Sequence, residues 1–153
     1  MFLLINFSTI FSQELVKNIE PGAGSSYPTN LYPFKNKLIF WAYTNYNGYQ
    51  MYITDGTSTS TTMLTNIPNT TPTNPSPGTS IQDKFIQIDS LGFFYVITST
   101  SGSSITRLNI YRTNGTVDGT YRLTIDGEII DNGLGTINFF KLNGMICNFC
   151  YRA

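Results

Sequence analysis

The chain contains no histidine, which removes Ser/His and Cys/His nucleophilic pairs, imidazole metal ligands and the usual neutral-pH base. Charge is scarce as well: only 12% of residues are charged, about half the share of an ordinary globular domain. Nine Lys and Arg balance nine Asp and Glu, leaving no basic stripe for nucleic acid and no acidic one for cations. What remains is apolar and hydroxyl- or amide-bearing. Hydrophobic residues make up 41% of the chain, which excludes a disordered polymer, and aromatics reach 14%. Ser, Thr and Asn together number 49 of the 153 residues. Strand formers mixed with turn formers predict an all-β protein. The length allows one domain or a piece of a repeat array.

Residues 1–11 (MFLLINFSTIF) are apolar apart from Asn6, Ser8 and Thr9, and Ser12 and Gln13 follow before the charged Glu14. A hydrophobic run of about 10 residues is too short to span a bilayer and matches the central segment of a secretory signal peptide. No Lys or Arg precedes it. Residues 1–13 are therefore expected to be part of a signal peptide whose start lies upstream, with export as the consequence. The alternative is a buried first strand or helix.

From Glu14 onward the sequence repeats. Residues 15–19 (LVKNI) return as 63–67 (MLTNI), and 50–57 (QMYITDGT) return 59 positions later as 109–116 (NIYRTNGT). The same offset carries Leu64 onto Leu123. Residues 37–40 (KLIF) are echoed at 92–95 and again at 145–147. A period in the fifties lies near the range of propeller blades and solenoid units. Within the first unit, strands are expected over 30–34, 37–44, 49–54 and 62–67. Lys35-Asn36 should turn the first pair, and Asn47-Gly48 supplies a φ > 0 pair for the second. Four short antiparallel strands per unit is the pattern of a β-propeller blade. Residues 20–28, 68–78 and 126–135 read as turn-rich connections, the second holding four of the seven prolines. The expected division is 1–13 signal, 14–67 first repeat, 68–125 second repeat and 126–153 the start of a third.

These residues resemble the secreted bacterial repeat family named for its ELWxxDGT motif. The Glu-Leu-Trp of the motif is represented by Gln50-Met51-Tyr52 and by Asn109-Ile110-Tyr111. Its Asp-Gly-Thr stands at Asp55-Gly56-Thr57 and is relaxed to Asn114-Gly115-Thr116. The Gly-Thr that follows is Gly119-Thr120 in the second unit and Ser60-Thr61 in the first. The resemblance covers residues 14 to about 149 and implies export and propeller-like β-repeats. On that reading 15–19 is the fourth strand of a blade whose other strands are absent, and the ring is incomplete.

The repeated residues have structural explanations. Gly56 and Gly115 fit backbone positions with φ > 0, Asp55 or Asn114 can bond its own turn amides, and Thr57 and Thr116 complete the turn. A cation or glycan ligand at each turn is the rival reading. Trp41, Tyr43, Tyr46, Tyr49 and Tyr52 offer either a sugar-stacking platform or ordinary cross-strand packing. Packing is preferred, since Trp41 and Tyr43 share one strand face. Asp126, Glu128, Asp131 and Asn132 match no EF-hand spacing and read as a surface turn before a Ca²⁺ loop. Cys147 and Cys150 fall on an expected strand, where i and i+3 point to opposite faces, so neither a local disulfide nor joint zinc chelation is natural.

No cofactor, metal or catalytic residue is called for. The expected function is a non-catalytic binding or adhesion module outside the cell, with a glycan or surface protein as partner, further repeats of the same polypeptide completing the array, no nucleic acid and no membrane span. The alternatives are an accessory region of a secreted hydrolase and a purely structural surface repeat. Unpaired sheet edges and low charge further predict that the isolated chain self-associates or folds only loosely.

Overall fold

The computed structural model describes residues 14–67, 85–99, 106–124, 128–130, 134–142 and 145–152, and every regular element among them is a β-strand. Strands β1 (Thr29–Phe34), β2 (Lys37–Thr44), β3 (Gly48–Thr54) and β4 (Thr62–Met63) form an antiparallel sheet in that order. A second antiparallel sheet runs β5 (Ile86–Ile88), β6 (Leu91–Ser99), β7 (Thr106–Thr113) and β8 (Tyr121–Arg122), with β9 (Glu128–Ile130) also paired to β7. A third consists of β10 (Leu134–Leu142) and β11 (Met145–Arg152). The all-β expectation holds, and no sheet closes on itself among the described residues. The expected signal segment 1–13 and the proline-rich stretch 68–78 lie outside them.

The same hairpin register recurs in all three sheets. Phe34 pairs with Lys37, Ile88 with Leu91 and Leu142 with Met145, at intervals of 54 residues. In the first two, the residue after the first strand takes a positive φ, 55° at Lys35 and 54° at Asp89. A two-residue hairpin needs that left-handed geometry to follow the strand twist.

Four expectations about local structure are corrected. Asn47 and Gly48 do not form a φ > 0 pair: only Gly48 is positive, at 65°, and it already pairs with Thr44. The wider Asn45-Tyr46-Asn47 connection is held by Thr44 Oγ1, which accepts the Asn47 N–H at 3.0 Å. The fourth strand is regular only over Thr62–Met63, not over 62–67. Beyond it the Leu64 N–H still reaches the Met51 carbonyl at 2.7 Å, but the Met51 N–H donates to the Thr65 hydroxyl at 2.9 Å. A side chain has replaced the ladder carbonyl, so the backbone leaves strand geometry. Residues 15–19 form no strand, because no described strand lies alongside them and a ladder needs a neighbour. Within 126–135, read as a turn-rich connection, β9 pairs Ile130 with Thr106 and Glu128 with Leu108.

Strand β2 is buried on both faces, and its alternation sorts KLIFWAYT into two sets. Ile39 and Trp41 join Met51, Ile53, Leu64 and Ile67 in a core that also contains Phe94 and Val96 of β6. Phe40 and Ala42 turn the other way and pack with Tyr52, Ile19 and Met63. Across β2 and β3, Phe40 stacks on Tyr52 with centroids 5.8 Å apart. The matching pair in the second sheet, Phe94 and Tyr111, stacks at 5.3 Å. That second pair faces the first sheet, where Trp41 meets Phe94 edge-on at 5.9 Å. One face of the first sheet thus receives the opposite face of the second. The two sheets stack head to tail.

Candidate functional site

The two Asp/Asn-Gly-Thr turns are built alike, bond for bond. Asp55 Oδ1 accepts the Thr57 N–H at 3.0 Å and the Thr57 hydroxyl at 2.8 Å. Asn114 Oδ1 accepts the same two donors from Thr116, at 2.9 and 2.7 Å. The Gly56 and Gly115 N–H groups donate to Thr54 and Thr113 hydroxyls at 3.0 and 2.9 Å. Both glycines have φ above +90° (96° and 91°), where an L side chain is strained. The Thr of the trailing Gly-Thr or Ser-Thr then closes each turn from behind. The Thr61 hydroxyl lies 2.8 Å from that of Thr54 and donates to the Thr57 carbonyl at 2.7 Å. Thr120 repeats both contacts with Thr113 and Thr116, each at 2.6 Å.

The units differ where the sequence differs. In the first, the Ser60 hydroxyl donates to Asp55 Oδ1. In the second, Gly119 takes that place, and a Cβ there would overlap the Asn114 amide. The Ser60 hydroxyl, then the Thr57 side-chain and backbone donors, hold the Asp55 carboxyl below the usual carboxylate range. Every acceptor site on the inner oxygen of each turn is used by the turn itself. This accounts for Asp55, Gly56, Thr57, Asn114, Gly115 and Thr116 as turn-forming groups.

The aromatic candidates separate. Trp41 and Tyr43 are buried on the core side of β2, and Tyr49 packs beside Tyr43 with centroids 5.4 Å apart. Tyr52 lies on the opposite face with Phe40, and burial pushes its phenol up, helped by the Glu20 carboxylate. Tyr46 alone of the five stands free, 88% exposed at the tip of the β2–β3 connection. Its ring borders a hollow of about 450 Å³ that Lys17, Thr44, Asn47, Tyr52 and Thr61 also line.

Two side chains absent from the sequence reading anchor the segment that borders this hollow. Lys17 donates from Nζ to the Thr61 carbonyl at 2.6 Å. Glu20, only 3% exposed, accepts the Asn45 N–H at 3.0 Å and the Asn45 side-chain amide. Together they fasten residues 17–20 to both ends of the first sheet. A third missed residue is Gln50, completely buried. Its amide brackets Ile67, accepting the N–H at 2.9 Å and donating to the carbonyl at 3.1 Å, and accepts the Thr65 hydroxyl at 2.8 Å. A lone Gln before an apolar run carries no sequence signal of burial.

Among the described residues no group of three or more Cys, Asp or Glu could hold a metal ion, and no helix is long and apolar enough to cross a membrane. Glu128 lies on β9, whereas Asp126, Asp131 and Asn132 fall outside the described residues. Cys147 and Cys150 both lie on β11, opposite Phe140 and Ile137 respectively. No protein-family model, no curated protein and no solved structure matches this chain.

Proposed function

We propose that the protein is an exported, non-catalytic β-repeat module that binds a neutral polar ligand, a glycan in the first place, at the cell exterior. The observation that carries this reading is the hollow beside Tyr46. There Tyr46, 88% exposed, lines the hollow together with threonines, asparagines and a single ammonium-bearing residue, Lys17. Flat aromatic faces accept the apolar faces of sugar rings, and convergent hydroxyl and amide groups match their hydroxyls. Fixed walls lower the ordering cost of binding, and the Lys17 and Glu20 contacts supply such walls.

On the same reading the sheets are propeller-like units of an ELWxxDGT-type repeat. Support comes from the 54-residue recurrence of hairpin register and from the head-to-tail stacking of the first two sheets. The experiment is a glycan array with wild-type chain and Tyr46→Ala. Retention on defined oligosaccharides that drops at least about tenfold in the variant, the scale of one lost ring contact, is the expected result. A blank array, or binding indifferent to Tyr46, would refute the glycan site. Export is tested separately by intact mass of secreted protein, which should begin close to Gln13.

A further inference from the structure

We infer that the hollow beside Tyr46 holds an internal stretch of a sugar chain, about three to four units laid along β3, rather than one terminal sugar. This inference rests on the glycan reading and adds the length and direction of the ligand. Its basis is where the lining residues stand. Thr44 pairs with Gly48 at one end of β3, and Tyr46 and Asn47 occupy the connection between them. Thr62 pairs with Ile53 near the other end. Thr44, Tyr46, Asn47 and Thr62 nevertheless line the same hollow. Gly48 and Ile53 are five strand residues apart, roughly 16 Å at the rise of an antiparallel strand.

The second wall runs the same length between two fixed points. Lys17 Nζ is bonded to the Thr61 carbonyl at one end, and Glu20 holds the Asn45 N–H at the other. Residues 17–20 are stretched between them, with Ile19 packed on the cluster of Phe40, Ala42 and Tyr52. A hollow of about 450 Å³ drawn out over roughly 16 Å is about 5 to 6 Å across, the width of a single chain. A pyranose ring, built from bonds of about 1.5 Å, advances its chain by roughly 5 Å. The hollow is thus about three rings long, and Tyr46 at its tip adds a place for a fourth.

The distribution of polar groups agrees. Exposed Tyr46 and Asn47 stand at one end and exposed Asn18 and Thr59 at the other, with Ile19 and Met63 between them. A single sugar needs its hydrogen-bonding partners gathered around one ring. Hydroxyls and amides set this far apart are reached together only by several linked rings. An extended peptide of the same length would seek ladder partners, and β3 already gives its own to β2 and β4.

Isothermal titration of the full chain with cello-, malto- and N-acetylated chito-oligosaccharides of two to six units is the test. In the series that binds, affinity should rise at least about tenfold from two units to four and then stay level. Asn18→Ala combined with Thr59→Ala changes only exposed side chains, so the melting temperature should hold. This far-end variant should weaken the four-unit chain at least about fivefold and leave the two-unit chain unchanged. Tyr46→Ala should weaken both lengths. Affinity that is level from two units, still climbing at six, or lost equally at both lengths in the far-end variant would overturn the lengthwise chain and leave the glycan reading standing. A far-end variant that binds like wild type would do the same. Silence in all three series would also overturn it, and the glycan array then decides by itself whether the glycan reading falls too.

Discussion

Gly115 lies against Phe34 across the joint between the first two sheets, with room for a Cβ only 3.1 Å from the ring. Gly56 has the same backbone, φ 96° against 91°, but open space around it. The pair separates backbone strain from packing. Gly56→Ala meets only the left-handed strain, about 1–2 kcal/mol. Gly115→Ala adds overpacking against Phe34 and Ile53, for a total of about 2–4 kcal/mol. Chemical denaturation of both variants checks the order, and equal losses would mean that the joint is loose.

Gln50 is expected to be the most sensitive polar residue of the first sheet. Its amide is the shared partner of the Ile67 N–H, the Ile67 carbonyl and the Thr65 hydroxyl, all in a buried setting. Gln50→Leu strands these three groups without water. A loss of about 2–4 kcal/mol follows from the cost of buried unpaired donors and acceptors. Thermal melts read it directly.

Asp55 gives the first turn a pH dependence that Asn114 denies the second. Its folded carboxyl titrates below the ordinary value of 3.8 because Ser60 and Thr57 donate to the charged form. A depressed folded pKa contributes stability above the unfolded value and loses it as pH falls through the folded one. Carbon-detected NMR titration should therefore place Asp55 below 3.8 and show Ser60→Ala moving it upward more than Thr57→Ala. Since the group is fully exposed, Asp55→Asn should leave neutral-pH stability little changed.

Much of the architecture was legible because the chain states it twice. The β-forming run KLIFWAYT and the recurrence of QMYITDGT as NIYRTNGT place β2, β3 and both turns within a residue or two of where they lie. What failed depends on partners far away in sequence. The regular part of the fourth strand ends at Met63 because a Thr65 hydroxyl takes over a ladder bond. Residues 15–19 stay unpaired although their repeat, 63–67, hugs β3. The connection at Asn47-Gly48 widens where Glu20, 25 residues earlier, grips Asn45. Local propensity has no access to any of these. The hollow beside Tyr46 is likewise invisible in the sequence, since the segment with Lys17 that lines it is fixed there only by the tertiary contacts of Lys17 and Glu20.

The aromatic residues should divide into those that hold the fold and one that is free to meet a ligand. Trp41 is 3% exposed and meets Phe94 across the joint, whereas Tyr46 is 88% exposed. Trp41→Ala removes a large buried ring and the edge-on contact that ties the two sheets, so about 3–5 kcal/mol of stability should disappear. Tyr46→Ala deletes a side chain with almost no buried area and should stay within about 0.5 kcal/mol of wild type. Equilibrium unfolding followed by tryptophan fluorescence suits Tyr46→Ala, and circular dichroism suits Trp41→Ala, which lacks the only Trp. A strongly destabilised Tyr46→Ala would show that its ring packs in solution, and the ring would then be unavailable to stack on a sugar.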